Sequence, residues 1–191
     1  MSNDNIRSLV YHSMLTAVIA MLTLFASVPL PVGNGGAYLN AGDAAVYASA
    51  YILGPWGGAA VAGVGSALAD ILHGSPVYVP ATLVIKAAMA FICGMLLKKL
   101  RRIPPVIAGL VMPAGYFAFE LVVLDMSAAL FGLWTNAIQY AFGAAAGMLL
   151  FHAFEKAGIV KFGAGTAAAK KHIPGARARI GTEVPSDKER D

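Results

Sequence analysis

Three ionisable side chains stand in a stretch of sequence that is otherwise apolar and dense in glycine and alanine. They are Asp43, Asp70 and Lys86, and the stretch runs from residue 38 to residue 86. A charged group inside a lipid bilayer is costly, so each of these residues needs either a structural partner or a functional role. Carboxylates and ammonium groups can hold the polar groups of a small molecule. We therefore predict that the three residues help to build a small-molecule pocket on one side of a membrane bundle.

The composition is that of a membrane protein. Of the 191 residues, 58% are hydrophobic and 13% are charged, whereas soluble domains carry about 25% charged residues. The net charge of +4 does not indicate nucleic-acid binding, because the basic residues lie in short loops and a tail beside apolar segments. The sequence therefore predicts one bundle in a lipid bilayer, without a second domain and without a nucleic-acid partner.

Six apolar segments are predicted to be transmembrane helices. They cover residues 6–28, 43–53, 57–72, 81–97, 106–124 and 133–154. Segment 43–53 is too short to cross a bilayer alone, so we expect a partial span packed inside protein. The predicted fold class is an all-α membrane protein, a six-transmembrane-helix bundle within residues 1–156. Residues 157–191 are polar, and we predict a disordered cytoplasmic tail.

The basic residues predict the orientation of the bundle. With six spans, both termini lie on one side of the membrane. Of the 14 Lys and Arg residues, all except Lys86 fall on that side, and the segments 29–42, 73–80 and 125–132 contain none. Cytoplasmic loops carry the excess of Lys and Arg, so both termini are predicted to be cytoplasmic in the cell membrane of a prokaryote.

Polar residues within the predicted spans gather in the half of the bundle opposite the termini. The other half has almost none, and toward the end of the last span its polar side chains begin only at His152 and Glu155. A water-accessible cavity open to the outside would produce this asymmetry. The predicted substrate-binding residues are Asn40, Asp43, Tyr47, Asp70, Lys86, Tyr116, Glu120, Asn136, Gln139 and Tyr140.

Structural roles are an alternative explanation for some of the predicted substrate-binding residues. Lys86 could form an ion pair with Asp70 or Glu120, and a helix cap is an alternative role for Asp43 and Asp70. The tyrosines could stack on a planar heteroaromatic ligand. For Trp134 and Tyr78, the aromatic belt at the membrane interface is the favoured interpretation.

Several catalytic and cofactor motifs are missing from the sequence. There is no G-x-x-x-x-G-K-[ST], so the chain is not expected to bind ATP through a P-loop. There is also no G-x-S-x-G, H-E-x-x-H or C-x-x-C, and the four histidines are scattered. We therefore expect no catalytic residues, no metal site and no cofactor bound by this chain.

Four motifs of the sequence resemble those of a known family. They are Y-L-N-A-G-D at 38–43, L-G-P-W-G-G at 53–58, G-S-A-L-A-D at 65–70 and P-A-T-L-V-I-K at 80–86. The chain resembles the substrate-binding S components of energy-coupling factor (ECF) transporters. It is most similar to the branch with riboflavin-type and hydroxymethylpyrimidine- or pyridoxine-type S components.

The resemblance implies a set of partners and a site. It implies a vitamin or vitamin precursor bound near the outer face and covered by the loop 29–42, for which a plain connector is the alternative. It also implies a separate transmembrane T subunit and two ATPase subunits that use the ATP. Members of the family contact the T subunit through A-x-x-x-A on span 1. The nearest matches here are Ser13-x-x-x-Ala17 and Thr16-x-x-x-Ala20, a spacing that ordinary helix packing also explains.

Two kinds of transporter remain open from the sequence. The leading hypothesis is a vitamin-binding subunit of an ATP-driven ECF transporter, with a hydroxymethylpyrimidine or pyridoxine-like ligand. The alternative is a stand-alone proton-coupled transporter that uses Asp70, Lys86 and Glu120 as a proton relay. An intramembrane enzyme is disfavoured, because no nucleophile–base pair is found. In the pocket interpretation, Lys86→Ala is expected to reduce ligand binding without loss of folding.

Overall fold

The computed structural model describes residues 3–29 and 38–160, and these form a helical bundle with one short two-stranded ribbon. The helices are α1 (Asn3–Phe25), α2 (Gly42–Leu72), α3 (Val79–Leu100), α4 (Pro104–Gly109), α5 (Val111–Val123) and α6 (Met126–Lys156). Strands β1 (Ser27–Pro29) and β2 (Tyr38–Asn40) pair antiparallel, and a single 3₁₀ turn, Pro76–Tyr78, precedes α3.

The described residues contain five helical stretches that are long and apolar enough to cross a membrane, where the sequence predicted six spans. The difference lies in α2, which joins the predicted spans 43–53 and 57–72 into one helix of 31 residues. The predicted span 106–124 is divided into α4 and α5, which follow each other at Leu110 and together count as one candidate span.

Helix α2 is broken at Gly54, where the chain reverses. Gly54 has φ 76° and ψ −173°, and Pro55 follows it. A straight helix separates residues eight positions apart by about 12 Å. In α2, however, a Cβ on Gly58 would lie 2.7 Å from the Cα of Ala50, and Ser49 Oγ donates to the Gly58 carbonyl at 3.2 Å. The helix is therefore a hairpin of a first arm (residues 42–53) and a second arm (residues 55–72).

Gly54 is expected to be required for this reversal. Its combination of φ and ψ is accessible almost only to glycine. No atom lies within 4 Å of a Cβ placed on Gly54, so a side chain there would meet no steric clash with the rest of the chain. Backbone strain alone should therefore make Gly54→Ala less stable by about 1–3 kcal/mol. The free energy of unfolding in mixed detergent micelles measures this effect. An unchanged value would show that the reversal tolerates a side chain.

The second arm of α2 packs against both α3 and α1. A Cβ on Gly63 would lie 2.8 Å from the carbonyl oxygen of Leu83, and one on Gly94 would lie 2.7 Å from Pro55 Cα, so α3 runs antiparallel to this arm. A Cβ on Gly65 would lie 2.7 Å from the carbonyl oxygen of Thr16. Backbones that approach this closely need small residues at the contact.

The first arm of α2 packs along α6, and the two run parallel. Asp43 lies against Gly143, and the ring of Tyr47 lies against Gly147 one turn further along both helices. The hydroxyl of Tyr51 donates to the Gly147 carbonyl at 3.1 Å. These contacts place the start of α2 beside the middle of α6.

Apolar side chains fill the inside of the bundle and also cover much of its outside. Val46, Met89 and Phe151 are fully buried or nearly so, whereas Val122 and Leu149 are largely exposed. An apolar outer surface of this extent marks contact with lipid or with another membrane protein.

Several boundaries differ from the predicted ones. Helix α6 begins at Met126 instead of residue 133, because the side chain of Asp125 caps it by accepting from the Ala128 N–H at 2.9 Å. Helix α1 ends at Phe25, so residues 27 and 28 of the predicted span 6–28 belong to strand β1. This strand pairs with β2 from the predicted loop 29–42, with Ser27 opposite Asn40 and Pro29 opposite Tyr38. Residues 30–37 of the predicted lid and residues 161–191 of the predicted tail lie outside the described residues.

Candidate functional site

A cavity of about 430 Å³ lies between α2, α3, α5 and α6. Its wall uses the start of the first arm of α2, the end of the second arm, and the first turns of α3 and α6. The cavity therefore occupies one end of the bundle, as the polar residues predicted. The predicted residues that line it are Asp43, Asp70, Lys86, Tyr116, Glu120, Asn136 and Gln139.

Two other predicted residues, Tyr47 and Tyr140, do not contribute to the described wall of the cavity. Tyr47 is 1% exposed, and its ring packs between α4 and α6. Tyr140 donates its hydroxyl to the Val106 carbonyl at 3.0 Å. Tyr47 and Tyr140 therefore hold helices together instead of facing a ligand. The side chain of Asn40 lies outside the described residues.

Asp43 and Lys86 form a buried ion pair at the base of the cavity. Lys86 Nζ donates to Asp43 Oδ1, and the two residues are 8% and 1% exposed. The second carboxylate oxygen of Asp43 accepts from Gln139 Nε2 at 3.0 Å, and Lys86 also contacts Met112 Sδ at 3.0 Å. The network ties α2, α3, α5 and α6 together around the cavity.

The partner of Lys86 differs from the ion pairs considered from the sequence. Asp70 and Glu120 were the candidates, but Asp43 takes this position. Asp43 stands in the first turn of α2, where the helix dipole also favours a negative charge. Of the three carboxylates around the cavity, only that of Asp43 pairs directly with Lys86, and those of Asp70 and Glu120 do not.

Glu120, Asp70 and Ser66 each have a buried polar atom without a hydrogen-bond partner among the described residues. These atoms are Glu120 Oε2, Asp70 Oδ2 and Ser66 Oγ. The other oxygen of Glu120 accepts from the Tyr78 hydroxyl at 3.2 Å. Buried polar groups are normally paired, so unpaired ones that line a cavity indicate a place for a ligand or water.

Aromatic side chains form one wall of the cavity. Tyr116 and Thr82 share a hydrogen bond of 2.8 Å between their hydroxyls. The rings of Tyr78 and Tyr116 lie 6.3 Å apart, and Tyr78 also packs on Phe119 at 5.7 Å. Tyr78, for which the interfacial belt was favoured, therefore lines the cavity, whereas Trp134 is 60% exposed.

Some residues of the wall were missed from the sequence although helical spacing could have found them. Ser66 precedes Asp70 by one turn, Thr82 precedes Lys86 by one turn, and Met112 precedes Tyr116 by one turn. Residues four apart share one helix face. The same spacing along α6 would have found Gly132 before Asn136 and Thr135 before Gln139, with Ala128 and Phe131 one further turn earlier. No comparable signal identifies Thr23, Ser75 and Tyr78.

Comparison with known proteins identifies the family. Residues 3–156 match the family described as ECF-type riboflavin transporter, S component. The chain belongs to this family. The resemblance stated from the four motifs is thereby confirmed, and the S component is a transport subunit and not an enzyme.

Two relatives and one solved structure resemble this S component. It is 27% identical over 160 residues to the thiamine precursor transporter HmpT of Lactococcus lactis subsp. cremoris, covering 84% of this chain and 95% of HmpT. It is 32% identical over 126 residues to an uncharacterized protein of Pyrococcus woesei, covering 63% and 83% of the two chains. The crystal structure of a biotin S component from an ECF-type ABC transporter matches the fold with a TM-score of 0.57 and 19% identity, covering 82% of this chain and 94% of that one.

The family and the helices together establish a coarse description. The S component is a multi-pass membrane protein of a prokaryotic transporter family, whose members take vitamin-like substrates and work with T and ATPase subunits. In the described part of the chain, no three His, Cys, Asp or Glu side chains come together as a metal site.

The four residues predicted to contact a T subunit lie on two faces of α1. Ser13 and Ala17 are exposed, whereas Thr16 is half-buried and Ala20 is 8% exposed. Thr16 faces α2, where its carbonyl oxygen meets Gly65. The Ser13–Ala17 face is therefore the one available to another chain, and its contact with a T subunit stays a prediction.

Proposed function

We propose that this S component binds a vitamin precursor of the hydroxymethylpyrimidine or pyridoxine type for ATP-driven uptake. A T subunit and two ATPase subunits would supply the energy, since no P-loop motif occurs in the chain itself. The observation that carries the proposal is the cavity of about 430 Å³, whose wall combines carboxylates, hydroxyls, amides and tyrosines.

The dimensions and lining of the cavity favour a small polar heterocycle. Its volume lies toward the lower end of the range of about 300–1,000 Å³ that is typical of ligand pockets. Tyr116 and Phe131 offer aromatic surface on which a flat ring can stack. Asn136 can donate and accept hydrogen bonds, as the ring nitrogens and hydroxyl groups of such a ligand require. Thr135 can accept one, since its own hydroxyl donates to the Gly132 carbonyl at 3.1 Å.

The similarity to HmpT supports the same class of ligand. HmpT is described as a transporter of a thiamine precursor, and the alignment covers 95% of it. A hydroxymethylpyrimidine is such a precursor in chemical terms, since it carries the pyrimidine half of thiamine. This similarity favours a pyrimidine over a larger flavin as the ligand.

The proposed topology has six transmembrane segments, of which the first arm of α2 is a partial span packed inside the bundle, and cytoplasmic termini. The two arms of α2 supply two of the segments, with lengths of about 18 Å and 27 Å at 1.5 Å per residue. Arg101 and Arg102 pair with Glu155 at 3.2 Å, at the end of the bundle where α3 and α6 finish. The positive-inside rule favours the cytoplasm for this end, so the cavity at the other end would face outward.

Uptake into proteoliposomes tests the proposed function. The S component reconstituted with its T and ATPase subunits is expected to accumulate labelled hydroxymethylpyrimidine or pyridoxine only when ATP is enclosed on the ATPase side. Complexes with inactive ATPase subunits provide the matched control. Accumulation by the S component alone, driven by a proton gradient, would instead support the stand-alone transporter.

A further inference from the structure

We propose that the acidic wall of the cavity, formed by Ser66, Asp70 and Glu120, selects ligands by their hydrogen-bond donors. The ligand class is an amino-substituted nitrogen heterocycle, with its amino group directed at Glu120. Heterocycles with a ring carbonyl at the same position are disfavoured. This selection concerns the ligand of the proposed function and rests on it.

Carboxyl groups outnumber ammonium groups in the wall of the cavity. Four ionisable side chains, two of them Asp43 and Lys86, line the cavity together with a tyrosine pair. Asp43 and Lys86 neutralise each other in their ion pair. Glu120 forms no salt bridge with any residue of the described chain, and Asp70 interacts with Thr82, Lys86 and His73. The wall therefore carries two carboxyl groups, those of Asp70 and Glu120, beyond the one that Lys86 pairs with directly.

Glu120 is a buried acceptor that is held in position. It is 5% exposed, and the Tyr78 hydroxyl donates to its Oε1 at 3.2 Å. Its Oε2 has no hydrogen-bond partner among the described residues and lies so close to α6 that a Cβ on Gly132 would be 1.8 Å away. Glycine at position 132 therefore leaves the space that this carboxylate occupies. An acceptor fixed in advance loses little conformational entropy when a ligand binds.

Ser66 is a second unpartnered group in the same wall. It is 1% exposed, and its hydroxyl lies one helical turn before Asp70, whose Oδ2 also lacks a partner. A hydroxyl can donate or accept, whereas an ionised carboxylate can only accept. The acidic wall thus presents more acceptors than donors.

The ligand must supply the donors that this wall lacks. An exocyclic amino group gives N–H bonds to Glu120 Oε2, and a hydroxymethyl group gives an O–H bond. A ring carbonyl offers only lone pairs at that position, and the N–H of its lactam form lies on the neighbouring ring nitrogen, so the carbonyl would face the buried carboxylate without a donor and repel it. Leaving a buried charged acceptor unpaired corresponds to a loss of roughly 10- to 100-fold in affinity.

Two pyrimidines that differ in one group provide the probes. One is hydroxymethylpyrimidine with its ring amino group, and the other has a ring carbonyl in place of the amino group. Isothermal titration calorimetry of the purified S component in detergent is expected to give a roughly 10- to 100-fold lower Kd for the amino compound. If the two pyrimidines bind the unaltered protein with nearly equal Kd values, the proposal is overturned.

Three variants test whether Glu120 is the source of the preference for the amino compound. Glu120→Gln replaces one acceptor by a donor, and Gly132→Ala displaces the carboxylate while keeping its charge. Both are expected to reduce the preference for the amino compound to less than about threefold, mainly by weakening its binding. Glu155→Gln removes a carboxylate from the opposite end of α6, where it pairs with Arg101 and Arg102, and should keep the full preference.

The outcomes separate this proposal from the proposed function. A preference that survives in both Glu120→Gln and Gly132→Ala overturns the acidic wall as its source, although pyrimidine uptake still stands. If one variant does not fold, as judged by its thermal unfolding in detergent, the other decides. Binding of neither pyrimidine nor pyridoxine by the unaltered protein would overturn the proposed ligand class, and the acidic wall with it.

Discussion

Lys86→Met is expected to destabilise the S component by about 3–5 kcal/mol. The substitution removes the partner of Asp43, which is 1% exposed and would keep an uncompensated charge inside the bundle. Gln139 would remain as a donor to Asp43, but an amide does not replace the charge of an ammonium group. Titration with SDS in mixed micelles, followed by circular dichroism, measures the free energy of unfolding.

A surface ion pair provides the control. Arg102→Met removes one of two contacts to Glu155, and the side chain of Arg102 is 62% exposed. Its effect should stay below about 1 kcal/mol. The double variant Asp43→Asn, Lys86→Met should regain most of the lost stability, because neither buried charge remains. If Lys86→Met proves as stable as Arg102→Met, the buried pair does not form.

The ion pair changes the expectation drawn from the sequence for Lys86. Replacement by alanine was expected to reduce ligand binding without loss of folding. Since Lys86 lines the cavity and also neutralises Asp43, both ligand affinity and stability should fall. A loss of binding in this variant therefore needs the stability measurement beside it.

Gly58→Ala should have the second large effect, with a loss of stability of about 3 kcal/mol, at the upper end for overpacking. A Cβ on Gly58 would lie 2.7 Å from the Cα and 2.9 Å from the backbone nitrogen of Ala50. These atoms belong to the backbone of the first arm of α2, so they cannot swing away as a flexible side chain would. The two arms would have to separate, which would also weaken the 3.2 Å bond from Ser49.

Ala60→Ser tests whether the effect is specific to the contact between the arms. It adds one atom to the same arm of α2, at an exposed position. A substitution of this kind usually changes stability by no more than about 0.5 kcal/mol. Thermal unfolding in detergent compares the two variants. Equal unfolding temperatures would contradict the close packing of the two arms.

Much of the cavity wall could be predicted because polar residues are rare in apolar helices. Lys86, Glu120 and Gln139 stand out from the sequence around them, and all three line the cavity. Tyr47 and Tyr140 were selected by the same reasoning, yet the structure turns them against neighbouring helices. A tyrosine satisfies its hydroxyl equally well with a backbone carbonyl, so its type does not reveal its role.

The helix boundaries show a similar limit. Helix α6 starts at Met126, directly after its Asp125 cap, whereas the span predicted from hydropathy starts seven residues later, at 133. Asp is a preferred residue for capping a helix, but it is also common in loops, so Asp125 did not by itself predict the start of the helix. The reversal within helix α2 could not be fully predicted from the sequence for a related reason. Gly54 and Pro55 indicate a turn, and only the contact of Gly58 with Ala50 shows that the chain folds back completely.

The sequence by itself determined the membrane class, the family and the polar positions, because hydropathy, motifs and spacing along one helix are local properties. Ser66 with Asp70 and Thr82 with Lys86 follow from the 3.6-residue period alone. Only the tertiary structure decided that Lys86 pairs with Asp43, while Glu120 keeps a carboxylate oxygen without a partner. The physical reason is that contacts between helices depend on how closely their backbones approach. The reversal at Gly54 and the glycines at the helix contacts set that approach.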